Sequence, residues 1–258
     1  MIHPTAVISP QALIDPTAEI GPWCYIEGPV TIGPRTRLSR GVTVIGPCVI
    51  GADNQIGTQT VLGGEPEDPA YKGEPSQLRI GDRNRIFESV VVSRGSGRGR
   101  QETVIGDDNF LMSFVHVAHD CLIGNHVRIT AYTGLAGHVV VDDHATISGM
   151  VALQQFIRIG AYSFISAKSA VGWDVLPFST TFGTACPAYL HGANLIGLER
   201  QGFSREKIRT LRQVMALWRE KDRSVQSILE EMDATWPEDA LVRQVSDFAR
   251  ASSRGVLR

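Results

Sequence analysis

The chain has 258 residues with 25 Lys and Arg against 27 Asp and Glu, a formal net charge of −2 and 43% hydrophobic residues. That balance offers no general basic field for nucleic acid, and no apolar run approaches a membrane span, so no nucleic acid and no membrane span are expected. The four cysteines, Cys24, Cys48, Cys121 and Cys186, form no CxxC pair, and the repeat begins at residue 2 with no room for a signal peptide, which predicts reduced thiols and a cytoplasmic location.

From the N-terminus, branched aliphatic residues recur every six positions: Ile2, Ile8, Ile14, Ile20, Ile26, Ile32, Leu38, Val44, Ile50, Ile56 and Leu62. A second ladder runs Ile105, Leu111, Val117, Ile123, Ile129, Leu135, Val141, Ile147, Leu153, Ile159, Ile165 and Val171. A period of six is neither the 3.6 of a helix nor the 2 of an ordinary strand. It is the signature of a hexapeptide parallel β-helix, in which each short strand sends one branched residue into a narrow core. Three hexapeptides close one triangular coil, so residues 18 apart stack, with coils separated by roughly 4.8 Å. Glycine often follows the ladder residue, as at Gly33, Gly57 and Gly124, where a Cβ would crowd the turn.

Two stretches interrupt the ladder. Between Leu62 and Ile80 the register is kept, but Asp68 and Glu74 occupy ladder positions, so a loop leaves the prism there. Between Val92 and Ile105 the register slips by one across RGSGRGR at 94–100. Loops that interrupt a regular scaffold are usual places for binding groups, although each alone also fits a tolerated surface insertion.

The ladder ends near Pro177. Ser204 is a good N-cap for a helix with Ile208, Leu211, Met215 and Trp218 at helical spacing. Ser224 opens a second helix with Val225, Ile228, Leu229 and Met232, and Pro237 sits near the start of a third with Leu241, Val245 and Phe248. The expected architecture is mainly β: a β-helix domain over 1–187, then a small C-terminal helical domain over 188–258 that covers the last sheet edge.

Five of the seven histidines fall between positions 116 and 144: His116, His119, His126, His138 and His144. Stacking at 18 places His119 under Gly137 and Gly137 under Gln155, Asp120 under His138, and His126 under His144. HVAHDC (116–121) and AGHVVV (136–141) thus bring two imidazoles, a carboxylate and an amide together, with Gly137 leaving space beside His119. An imidazole beside a carboxylate suits general base work, because its pKa lies near operating pH and the acid orients it. Clustered histidines also suit a metal, as in the prism-shaped γ-class carbonic anhydrases. Here, though, no third histidine falls on a matching column; a set of polar surface residues on a noncatalytic scaffold is the remaining alternative.

Particular stretches resemble a known family: HPTA (3–6), IGDRNRIFES (80–89), SRGS (93–96), DNFLMSFVHVAHDC (108–121), LAGHVVVDD (135–143), GLERQGFSRE (197–206) and ARASSRGVLR (249–258). From end to end the sequence is similar to the UDP-N-acetylglucosamine O-acyltransferases that begin lipid A biosynthesis (LpxA). The resemblance implies a left-handed coil and a homotrimer with active sites between subunits. It implies transfer of a 3-hydroxyacyl group from acyl carrier protein to the 3-hydroxyl of a UDP-amino sugar, without metal or cofactor. His119 falls on the family's general base, Asp120 on the residue that orients it, and Gly137 on the backbone N–H that receives the oxyanion. Asp68, His116, His138, Gln155, Asn194 and Arg200 fall on substrate-contact positions. Ala167 falls on the residue that measures acyl length, where glycine admits long chains, so a medium chain is expected. It ends a column of small residues, Ser113, Ala131, Gly149 and Ala167, that fits an apolar groove or simple corner packing. The basic run Arg205, Lys207, Arg209, Arg212, Arg219, Lys221 and Arg223 suits an acidic carrier protein, or only a solvated face.

The departures cluster on the acceptor side. The family's sugar-contacting lysine is Ala70 here, with Lys72 nearby, and the glutamine before Asp68 is Glu67. Gln154 replaces a histidine, Ile196 a glutamate and Gln201 the second of two arginines. Replacing that arginine removes a charge-assisted phosphate contact, typically worth on the order of 1.5–3 kcal/mol. The pattern points to retained chemistry with an altered acceptor site, for which the 3-amino analogue of the sugar is one occupant.

Overall fold

The computed structural model describes residues 1–97, 99–183 and 188–258. Arg98 of the glycine-arginine loop, Cys186 and the expected domain boundary at 187 lie outside the described residues. The chain winds as a left-handed parallel β-helix whose short strands, two to five residues each, fall in turn on three sheets. The first face has nine strands and begins with Val7–Ile8; the second has eight and begins with Leu13–Ile14; the third has ten and begins with Glu19–Ile20. The eighteen-residue stacking holds directly: His116 pairs with Gly134 and Val117 with Leu135, and Gly134 pairs in turn with Ala152.

The ladder residues form the core, and from Ile20 onward they are nearly inaccessible. A second interior column, two residues before each ladder position, escaped the reading of the period. It holds small or polar side chains such as Cys24, Val42, Val115 and Val139, and three asparagines. Those asparagines form a buried ladder: Asn84 N donates to Asn54 Oδ1 at 2.9 Å and Asn109 N to Asn84 Oδ1 at 2.9 Å. Their amide nitrogens donate to the carbonyls of Gly81, Gly106 and Gly124, so no side-chain polar atom of the ladder is buried unpaired.

The glycines after the ladder residues serve close approach between coils. A Cβ on Gly33 would come within 2.7 Å of the Gly51 carbonyl oxygen. The left-handed backbone falls two residues later instead, at Asp108, Phe114, Asp120, His126, Tyr132, His138, His144 and their successors up to Lys168, with φ between 56° and 66° at these positions. That conformation costs roughly 1–2 kcal/mol for an L-residue. It is stabilised by a hydrogen bond to the coil below, as from His138 N to His119 O at 3.0 Å.

Both interruptions leave from the same edge, the one between the first and second faces. Ile50 pairs with Ile80, thirty positions on instead of eighteen, so twelve residues form the first loop, after Val61–Gly64 and before Gln77–Ile80. Ile80 pairs with Ile105, twenty-five on, so seven residues form the second, between Val91–Ser93 and Glu102–Ile105.

Past Pro177 the third face continues with Ser179–Phe182 and closes with the antiparallel strand Tyr189–Ala193. Four helices follow: α1 Leu195–Arg200, α2 Arg205–Trp218, α3 Val225–Thr235 and α4 Ala240–Arg250. Ser204 and Ser224 cap α2 and α3 as the sequence indicates. Asp239 caps α4, two residues past Pro237, and the short α1 has no counterpart in the sequence reading. Leu198, Leu211, Met215, Trp218, Ile228, Met232, Val245 and Phe248 pack with Leu176 and Phe178 of the last coil into one cluster. The sheet edge of that coil is sealed by the end of the chain: Val256 bridges to Asp174, Leu257 N donates to Asp174 O at 2.8 Å, and Ser252 Oγ to Asp174 Oδ2 at 2.8 Å. Among the described residues no helix is long and apolar enough to cross a membrane.

Candidate active site

His119 and Asp120 occupy the corner between the strands His116–Val117 and Leu122–Ile123, on the edge where both loops emerge. At Asp120 φ is +60°, a conformation that Asp tolerates better than most residues. Its carboxylate is fully buried. Oδ2 accepts from Ser96 N at 3.0 Å and Oδ1 from Gln101 N at 2.9 Å, while the backbone N of Asp120 donates to Thr103 Oγ1. Nδ1 of His119 lies 2.8 Å from the same Oδ2. A carboxylate fixed by two amides holds that ring in one orientation with Nδ1–H toward Asp120, which leaves Nε2 as the basic nitrogen.

Gly137 stands directly above. A Cβ there would meet Nε2 and Cε1 of His119 at 2.7 Å, so only glycine fits beside the ring. Among the described residues no acceptor takes the Gly137 N–H, while its carbonyl accepts from Phe156 N. His138, one residue on, packs edge-on against His119 with centroids 5.1 Å apart and face-on against Phe156 at 4.3 Å. Burial holds the His138 ring below the usual histidine pKa, partly opposed by Asp120. His116 points outward from the first face, with Nε2 3.6 Å from Glu67 of the first loop. Asp68, the next residue, accepts from Ser96 Oγ at 2.5 Å and from Ala70 N at 2.9 Å.

One chain therefore gathers Asp68, His116, His119, Asp120, Gly137 and His138 at one edge, with the exposed Gln155 stacked above Gly137. The other sequence candidates lie elsewhere. Asn194 is the N-cap of α1: its Oδ1 accepts from Gly197 N, and its Nδ2 donates to the carbonyl of Tyr162 on the edge between the second and third faces. Arg200 is exposed in the last turn of α1, with Ile196 and Gln201 exposed beside it. Ala167 is exposed on the third edge, three coils above Ser113. Ser96, Gln101 and Thr103, which fix Asp120, were missed by the stacking arithmetic because the seven-residue insertion breaks it.

Among the described residues His119, Asp120 and His138 place possible metal-ligand atoms within 4.8 Å of one another. The donor set is already committed: both Asp120 oxygens accept backbone N–H groups and Nδ1 of His119 faces one of them. A cation there would have to break the contact that orients the base, so the residues fit a hydrogen-bonded dyad better than a metal centre.

Comparison with known proteins agrees with this geometry. Residues 174–257 match the family model described as UDP N-acetylglucosamine O-acyltransferase, domain 2, and residues 102–137 match that of bacterial transferase hexapeptide repeats. The acyl-[acyl-carrier-protein]–UDP-N-acetylglucosamine O-acyltransferase of Burkholderia lata is 41% identical, over 100% of this chain and 99% of its own length. The UDP-N-acetylglucosamine acyltransferase of Francisella novicida superposes with a TM-score of 0.96 at 35% identity, covering 100% of this chain and 94% of that one. LpxA of Bacteroides fragilis superposes with a TM-score of 0.97 at 35% identity, covering all of both chains. With a hexapeptide prism, a buried His–Asp corner and full-length likeness, the chain belongs to the UDP-N-acetylglucosamine O-acyltransferase family.

Proposed function

We propose that this chain moves a 3-hydroxyacyl group from acyl carrier protein to the 3-hydroxyl of UDP-N-acetylglucosamine, the first step of lipid A biosynthesis. The observation that carries the reading is the orientation of His119: Nδ1 is held by Asp120 at 2.8 Å and Nε2 faces the space beside Gly137. In the proposed step Nε2 takes the proton of the acceptor hydroxyl as its oxygen attacks the thioester carbonyl. The new C–O bond forms, the oxyanion is received by the Gly137 N–H, and collapse breaks the C–S bond. The departing thiolate recovers its proton from His119. A positioned base of this kind contributes about 10²–10⁴ in rate, and a preorganised oxyanion donor a further 10²–10³ or so. His116, His138, Asp68 and Gln155 would contact substrates around that centre.

The distribution of the remaining candidates favours a homotrimer. His119, Ala167 and the Asn194–Arg200 segment lie on three different edges of one prism, so only edges of neighbouring copies can bring them to one site. The outer faces differ in the same sense: the first carries Val7, Val61, Val91, Gly134 and Ala152, the second Leu13, Val49, Leu122 and Val140 beside Arg79 and Arg158, and the third Glu19, Arg37, Arg85 and Arg128 beside Phe110 and Phe164. The largely apolar first face suits burial between subunits. Arg205, Lys207, Arg209 and Arg212 are exposed on α2, where an acidic carrier protein would gain electrostatic help in docking. The division into a prism over 1–187 and a helical domain over 188–258 is kept in this reading. Cys24, Cys48 and Cys121 are buried free thiols, in keeping with a reducing cytoplasm.

A second reading, the same base acting on the 3-amino analogue, is favoured by Glu67 beside His116 and by Ala70 in place of lysine, which together make the acceptor side more acidic. One experiment tests both. Purified protein is incubated with 3-hydroxyacyl carrier proteins of several lengths and either sugar, with product read by mass spectrometry and His119→Ala as control. Product lost in the variant supports the mechanism, and the preferred sugar selects the reading. A folded trimer that acylates neither sugar defeats both.

A further inference from the structure

We propose that Ser96 is a positioning residue that couples the acceptor carboxylate Asp68 to the base-orienting carboxylate Asp120. This rests on the proposed reading of Asp68 as an acceptor contact. Ser96 is 1% exposed and lies in the second loop, yet it reaches both acids. Its backbone N–H donates to Asp120 Oδ2 at 3.0 Å and its hydroxyl to Asp68 Oδ2 at 2.5 Å. The Asp120 oxygen it holds is the one that faces Nδ1 of His119. A single serine hydroxyl has one proton to donate, so the two carboxylates are served by different parts of the residue. The backbone amide fixes the base, and the side chain fixes the acceptor group.

The surrounding loop is shaped for this approach. A Cβ on Gly95 would collide with the backbone at Gln101, one on Gly97 would come within 2.7 Å of Glu74, and one on Gly99 would run into the Asp120 carboxylate. Arg94 ties the two loops together, with one guanidinium nitrogen donating to the Gly63 carbonyl at 3.0 Å and the other to the Tyr71 hydroxyl at 3.2 Å. Arg94, Gly95, Gly97 and Gly99 thus form a bracket around Ser96, and the two insertions meet at the edge that carries His119.

The separation of roles gives a selective test. Ser96→Ala removes the hydroxyl but leaves the amide on Asp120. The expected result, with purified trimer and UDP-N-acetylglucosamine or whichever sugar it accepts, is a KM for the sugar raised roughly tenfold with kcat within about twofold. Ser96→Thr should restore KM, and the kcat–pH profile should not move. Asp68→Asn is measured in parallel. If it raises KM while Ser96→Ala does not, the coupling is wrong and the acceptor reading stands; if Asp68→Asn leaves KM unchanged, the acceptor reading itself fails. A Ser96→Ala variant that loses kcat at constant KM also overturns the proposal. Should alanine prevent folding, Ser96→Cys keeps the volume with a weak donor, and an unaltered KM in that variant has the same force.

Discussion

Nδ1 of His119 lies 2.8 Å from Oδ2 of Asp120, although the two residues are consecutive in the chain. Neighbours in a strand point to opposite faces; these meet because the positive φ of Asp120 turns its carboxylate back under the corner. His119→Ala is expected to lower kcat by about 10²–10⁴ with the fold intact, as the ring is only partly buried. Asp120→Asn sets an amide NH₂ against a backbone N–H of Ser96 or Gln101. Steady-state kinetics should show a loss close to that of His119→Ala, and thermal melting a lower Tm. An Asp120→Asn enzyme with normal kcat would remove the dyad from the mechanism.

Gly137→Ala tests the space above the base. The added methyl would sit 2.7 Å from Nε2 and Cε1 of His119, a side chain that can swing away. The variant should fold with little change in Tm and lose on the order of 10²-fold in kcat, the usual cost of a misplaced catalytic group. Loss of folding together with activity would show that the position is structural.

Acid should loosen the prism. Burial holds both His138 and His144 below the ordinary histidine pKa, and in His144 the neighbouring His126 adds to it. For a histidine so depressed, the unfolded chain takes up a proton first as pH falls. Stability is therefore fully present above the unfolded pKa of about 6.5 and declines from there toward the lower folded values. His144 is stacked between His126 at 4.7 Å and Tyr162 at 4.5 Å, an arrangement phenylalanine can keep. His144→Phe should flatten the fall of Tm between roughly pH 7 and 5; an unchanged slope would assign the acid sensitivity to other groups.

Asn194 is expected to behave as a structural residue first. Asn194→Ala removes the N-cap of α1 and the tie to Tyr162. A cap alone is worth about 0.5–2 kcal/mol, so chemical denaturation should register a loss of at least that size. A substrate role would appear as a rise in KM for the sugar beyond what the lowered stability explains; a variant altered only in stability would withdraw Asn194 from the binding site.

The exposed Ala167 gives a test on the acyl side. Ala167→Gly should shift preference toward longer 3-hydroxyacyl chains and Ala167→Met toward shorter ones, read by competition between carrier-protein donors in one reaction. No shift in either direction would return the small-residue column to corner packing.

The parts of this molecule that were legible in its sequence are those that repeat without interruption. A narrow core filled at the same position of every hexapeptide imposes its period of six, and from that period the stacking of His119 under Gly137 and of His126 under His144 follows by counting. Counting fails at Ser96, because the seven-residue insertion that carries it has no counterpart in the coil below. It fails also at the corners, where His, Tyr, Phe, Met and Lys all adopt positive φ; the conformation is enforced by coil-to-coil hydrogen bonds, not by residue type. Asn194 was read through resemblance as a ligand, while its two local hydrogen bonds depend on α1, a six-residue helix too short for periodicity to reveal.

The clasp at the end of the chain bears on the order of assembly. Coils of a solenoid rest only on their neighbours, so winding can follow synthesis from the first coil onward. The guanidinium of Arg258, the last residue, donates to the carbonyls of Trp218, Glu220 and Arg223, while Val256 pairs with Asp174. The final coil thus stays open until residues 252–258 have been made and have docked. A chain in which residues 252–258 have not docked would display an unpaired sheet edge, a template for unwanted pairing.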